Sequence, residues 1–145
     1  MKRKTKIILL LVVALFVVGL ISTFLLWNKP HVNVENADGI KVSAVELYNI
    51  YQNDSTKANA TYTNNIVEVS GQVTQINHNQ QNQTVILLKT NIQDASVNCT
   101  MEEKPGNISV GSTVALKGIC NGYVSGDADL GIPGDVILVR CYVSN

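Results

Sequence analysis

Histidine is scarce in this 145-residue chain, which has only His31 and His78. Neither lies near a candidate nucleophile, so no catalytic triad is expected. Cysteine is limited to Cys99, Cys120 and Cys141, with no two closer than 21 positions and no histidine beside them. That spacing excludes the usual zinc sites. Charged residues make up 15% of the chain, and no acidic residue precedes Glu35. Residues 28–145 carry seven basic and eleven acidic side chains, a net of −4. A mildly acidic domain is a poor partner for a polyanion, since nucleic-acid affinity rests on neutralising phosphates.

The longest charge-free run is residues 7–27, IILLLVVALFVVGLISTFLLW. As a helix it would span roughly 31 Å, the thickness of a bilayer core. A cleaved signal peptide has a shorter apolar region followed by a small-x-small site. This run ends instead in Leu25, Leu26 and Trp27, and no cysteine follows it for lipid attachment. An uncleaved anchor is therefore expected, with Trp27 at the far interface. Lys2, Arg3, Lys4 and Lys6 place the N-terminus in the cytoplasm and the remaining domain outside it. The expected organisation is a basic segment over 1–6, a transmembrane helix over 7–27, a linker over 28–42 and a folded domain over 43–145.

Ser43 and Glu46 begin that domain as a capping box, each side chain bonding the other's backbone N–H. Ala44, Tyr48, Tyr51, Ser55, Ala58 and Tyr62 then recur at helical spacing. The weak helix formers of residues 53–56 predict a break near Asn53. This tyrosine stripe is read as a face packed on the domain.

The remainder reads as five strands: 66–76, 84–90, 96–101, 113–120 and 136–143. In the last, Ile137, Val139, Cys141 and Val143 are expected inside, opposite Arg140. Residues 77–83 and 121–135 are expected as loops. In the first strand Val67, Val69 and Val73 share one face, and Gly71 stands where another side chain would pack. A long strand that pairs on both sides of a small barrel must bend, and a glycine permits the bend or a bulge. Gly118 is assigned the same role across from it. The fold class is mainly β: a five-stranded, partly open OB-fold Greek-key barrel with an N-terminal helix, preceded by the transmembrane helix.

Ala58, Asn59 and Tyr62, the Val69-x-Gly71-x-Val73 strand, and the Gly118-x-Cys120 strand end resemble the tRNA anti-like family of small bacterial OB-fold proteins. The resemblance covers residues 42–143. It implies an anchored or exported OB domain and carries over no catalytic residues.

The three cysteines are read first as small core residues. In an oxidising compartment one disulfide is the alternative, pairing Cys141 with Cys99 or Cys120, because the fifth OB strand neighbours the third and fourth. The stretch beginning at Asp127 and Asp129 starts like a calcium loop, then fails, with Leu138 where a bidentate glutamate belongs. No enzyme activity, metal or cofactor is expected. Strands 84–90 and 96–101 contain no aromatic residue and one basic residue, Lys89, so nucleic-acid binding is the weaker reading. The leading expectation is a membrane-anchored extracytoplasmic module. It would bind a protein, peptide or saccharide through the loops at 77–83 and 121–135 and the open barrel edge. The alternative is a structural component of an envelope complex.

Overall fold

The computed structural model describes residues 3–27 and 33–144 and, within the first helix, the side chains of 11–24. His31 and the side chains of Lys2, Arg3, Lys4, Lys6 and Trp27 lie outside the described residues. The chain divides into two units, 1–32 and 33–145.

The first unit is a single helix, α1 (Arg3–Trp27). Every side chain over 11–24 is exposed, with Leu15 at 74% and Phe16 at 71%. Its hydroxyls bond to the helix itself. Ser22 Oγ donates to Val18 O at 2.8 Å, and Thr23 Oγ1 lies 3.0 Å from Gly19 O and 2.9 Å from Leu20 O. Such bonds satisfy a hydroxyl without water. Among the fully described residues no helix is long and apolar enough to cross a membrane.

The second unit holds β1 (Ile40–Ser43), α2 (Ala44–Asn53), α3 (Ser55–Tyr62), β2 (Ile66–His78), β3 (Thr84–Lys89), β4 (Ser96–Met101), β5 (Thr113–Val124) and β6 (Asp135–Val143). The long strand β2 is shared. Residues 66–72 pair antiparallel with β5, and 73–78 pair antiparallel with β3. Strand β6 runs parallel to β4 and antiparallel to β5, which closes a five-stranded barrel. The expected open barrel edge is therefore absent among the described residues, because the β4–β6 pairing seals it.

The change of partner on β2 falls at Gly71 to Val73. A β-carbon on Gly71 would stand 3.0 Å from Ala44 Cβ and 3.3 Å from Leu88 Cβ. The glycine thus lets the start of α2 and strand β3 approach β2 together. The irregularity in the ladder comes slightly later, between Val73 and Gln75.

Residues 40–42 were expected in the linker. They instead form most of β1, parallel to β2, with Ile40 opposite Val67 and Ser43 opposite Ser70. Strand β1 takes the side of β2 that β3 leaves vacant before Gly71. Val42 is buried, and Val34, further back, is only 1% exposed. A four-residue strand is too short to show an alternation in sequence.

Ser43 Oγ accepts from the Glu46 backbone N–H at 3.1 Å. The reciprocal bond from Ser43 N–H to the Glu46 carboxylate is absent among the described residues. The helix breaks at Asp54, which caps α3 by accepting from Lys57 N–H at 3.0 Å. Ala44, Leu47, Tyr48 and Tyr51 form the buried face of α2. The helix touches β1, β2, β3, β4 and β6, so it lies across the barrel rather than along one strand. Ser55 is exposed, and only Ala58 is buried in α3.

On β6 the expected inner face needs correction. Val136 and Leu138 point inward, while Ile137 and Val139 are only half-buried. Lys117 pairs with Tyr142 and Ile119 with Val139, so Gly118 faces two residues, Arg140 and Cys141. This bulge inserts one residue and turns Cys141 inward, because a one-residue slip exchanges the two faces. Arg140 takes up the kink with a φ of 52°.

Candidate binding cleft

Strand β2 runs to His78, so the first expected loop shrinks to 79–83. It is a tight turn. Asn79 Oδ1 accepts from the N–H groups of Gln81 and Gln83 at 3.0 and 2.9 Å, and Asn82 has a φ of 60°. The second expected loop contracts to 125–134, between β5 and β6.

Beside that loop lies an open cleft of about 500 Å³. Tyr48 and Gln52 of α2 form one wall, and Tyr123 at the end of β5 another. Ile92 and Gln93 come from the β3–β4 turn, and Ile132 and Pro133 from the β5–β6 loop. The lining contains no Asp, Glu, Lys, Arg or His. Asp135 fixes the geometry: its Oδ1 accepts from Ser96 N–H at 2.7 Å and from Ser96 Oγ at 2.9 Å. This ties the start of β6 to the start of β4. Thr90, buried in the adjoining turn, donates to the carbonyls of Ile92 and Ala95.

A hydrogen-bond network spans the wall. Tyr48 donates to Gly134 O at 3.1 Å. Gln52 Nε2 donates to Tyr48 Oη at 3.2 Å and to Tyr123 Oη at 2.8 Å. Tyr123 packs edge-on to Tyr48 and stacks on Tyr51, with ring centroids 6.1 and 6.3 Å apart. Burial, followed by the neighbouring Tyr123 hydroxyl, pushes the Tyr48 phenol up to about 12. It is neutral at physiological pH and acts as a hydrogen-bonding post.

The tyrosine stripe is thus a packed face, with Tyr48 and Tyr51 both buried. The Tyr51 hydroxyl lies 2.9 Å from Thr63 Oγ1 and 3.3 Å from Cys120 Sγ. Thr63 gives its own proton to Asn59 Oδ1, so Tyr51 donates to Thr63 and the Cys120 thiol to Tyr51. Burial raises the pKa of both Tyr51 and Cys120.

All three cysteines are free, buried thiols. Cys141 is pushed well above the ordinary thiol range by its hydrogen bond with Cys99 and by burial. Thiols of this kind are poor nucleophiles. Cys141 neighbours both Cys99 and Cys120, and all three are free thiols. Gly118 is buried beside them. Asp127 Oδ1 accepts from the N–H groups of Asp129 and Leu130, which makes a loop turn. Among the described residues no cluster of three or more metal-ligating side chains occurs.

Of the cleft residues, Gln52 carried no signal in the sequence, and Tyr123 fell within the expected binding loop 121–135 without being singled out. Glutamine is common on exposed helix faces, and Tyr123 reaches the cleft only because β5 extends four residues beyond its expected end.

A closed five-strand barrel with a cleft between two turns is the architecture of an OB-like binding domain. A family model, tRNA_anti-like, matches residues 1–130, and the chain belongs to that family. The match takes in α1 and β1 to β5 and ends inside the β5–β6 loop. No curated protein matches the chain.

Proposed function

We propose that the chain is a single-pass, membrane-anchored, extracytoplasmic OB-like binding module whose ligand enters the cleft between α2, β5 and the β5–β6 loop. The anchor rests on α1. Its side chains over 11–24 face outward, it has no charge after Lys6, and Ser22 and Thr23 satisfy their hydroxyls within the helix. In lipid, polar groups must find partners inside the segment. The basic residues before it orient the N-terminus toward the cytoplasm. Binding rather than catalysis is supported by the cleft's makeup. It holds no Asp, Glu, Lys, Arg, His or Cys, and Tyr48 is held neutral within its hydrogen-bond network. On the two central strands β3 and β4, Lys89 is the only basic side chain, which disfavours nucleic acid.

Protease added to intact spheroplasts, or to intact cells lacking an outer membrane, should digest the barrel while leaving α1 in the alkali-washed membrane. Protection of the barrel until lysis overturns the orientation. Release of α1 by alkali overturns the anchor. A structural role in an envelope complex is the second reading. It is favoured by the exposed apolar side chains of α1, which could themselves carry association. Replacing α1 with an unrelated anchor separates the two: partner capture survives in the binding module and is lost in the structural component.

A further inference from the structure

Tyr48, Gln52 and Tyr123 commit most of their polar atoms to one another, and the two atoms left free in that network describe what it can hold. Tyr48 gives its proton to Gly134 O, so its oxygen accepts from Gln52. That sets the amide with Nε2 toward the two phenols. Both Nε2 protons are then used, one on Tyr48 and one on Tyr123. Gln52 Oε1 has no partner among the described residues, and Gln52 is exposed. The Tyr123 hydroxyl accepts from Gln52, and its own proton has no hydrogen-bonded acceptor among the described residues. One free acceptor and one free donor thus stand side by side. One residue of an extended chain complements them, because its own N–H and C=O point to the same side: the N–H donates to Gln52 Oε1 and the C=O accepts from the Tyr123 hydroxyl.

The rim distinguishes a peptide from a saccharide. Ile92 and Ile132 are 46% and 54% exposed beside Pro133. Branched apolar side chains suit apolar peptide side chains, whereas a sugar ring needs an open aromatic face. Here Tyr48 is buried, and Tyr123 has Tyr51 stacked on it. Charge around the cleft has one sign. Segments 91–95 and 125–134 carry exposed Asp94, Asp127 and Asp129 and no basic residue.

We infer that the cleft binds an extended segment of a partner protein, with an uncharged apolar core flanked by basic residues, and that Gln52 and Tyr123 read the backbone N–H and C=O of one of its residues. This rests on the binding-module reading above.

The test uses the full chain in uncharged phosphatidylcholine nanodiscs, with empty nanodiscs as the blank. The probes are fluorescent, end-blocked peptides with a Leu/Ala/Pro core flanked by lysine pairs or by glutamate pairs. Maltohexaose and chitohexaose form the saccharide arm. The lysine-flanked peptide should saturate at submillimolar concentration and bind at least about fivefold tighter than the glutamate-flanked one. The gap should narrow as salt rises from about 50 to about 300 mM. Gln52→Leu and Tyr123→Phe should each weaken it about threefold or more, with an unchanged unfolding midpoint. Gln81→Ala, in the β2–β3 turn, should leave it unaltered.

Equal binding of the two peptides, indifference to both cleft variants, or no peptide binding overturns the inference. Oligosaccharide binding that Gln52→Leu abolishes also overturns it, yet leaves a binding module standing. The anchored orientation fails only on the protease result, so the two failures are distinguishable.

Discussion

The thiol of Cys141 occupies the space that a β-carbon on Gly118 would need, since an added Cβ there would stand 2.5 Å from Cys141 Sγ and 3.0 Å from Val139 O. The two residues face each other across the bulge that turns Cys141 inward. Gly118→Ala should therefore destabilise the barrel by roughly 2–3 kcal/mol through overpacking. Cys141→Ala should cost about 1–2 kcal/mol by removing a buried sulfur. The double variant should cost less than the sum of the two, because the second change vacates the space the first one fills. Strict additivity in a urea-denaturation cycle would disprove this contact.

At Gly71 the obstacles are Ala44 Cβ and Leu88 Cβ, on the start of α2 and on β3. Gly71→Val adds three carbons to that junction and should cost roughly 2–4 kcal/mol. Gly106 has open space around it and no positive φ, so Gly106→Ala should be neutral to within about 1 kcal/mol. An unchanged midpoint and m-value for Gly71→Val would disprove the close approach of Ala44 and Leu88 to β2 at this position.

Arg140 sits at a φ of 52°, a conformation costing an ordinary residue about 1–2 kcal/mol. Its side chain lies 3.9 Å from Glu102 in a partly exposed pair that adds little. Arg140→Gly should stabilise the fold by about 0.5–1 kcal/mol, and Arg140→Val should destabilise it. Thermal melts of the two variants should move in opposite directions.

Alkaline pH should unfold the domain through groups that hydrogen bonding and burial keep neutral. Cys120 and Cys141 are raised above the ordinary thiol value of 9.0, and Tyr48 from 10.0 to about 12. For each, the unfolded chain loses its proton first, so its contribution is complete below the unfolded value and disappears as pH climbs. Stability should hold up to about pH 8, then fall from about pH 9, with the tyrosine part lost between about 10 and 12. Tyr48→Phe should flatten that upper part, while costing about 1–2 kcal/mol at neutral pH for the orphaned Gly134 carbonyl. Denaturation midpoints taken across this range, with tyrosinate absorbance followed in parallel, would check both statements.

The strand cores, the helix with its break and the Ser43 cap were legible in the sequence because each has a local cause. Alternation, helical spacing and a capping hydroxyl act within a few residues of one another. The apolar run of α1 is legible for the same reason. Strand β1 was not, since four residues carry no period and its pairing depends on the side of β2 that β3 leaves vacant. The inner face of β6 was misread because the bulge at Arg140 shifts the alternation, and that bulge exists only where β5 and β6 meet. Glycine at 71 and 118 hinted at close approach, but only the tertiary structure names what approaches: Ala44 and Leu88 at one, Cys141 at the other. The cleft was the least legible feature. Gln52 and Tyr123 lie 71 positions apart and meet because α2 crosses the barrel beside the end of β5. Local residue chemistry determined the elements; long-range closure of the sheet decided which side chains face the cleft.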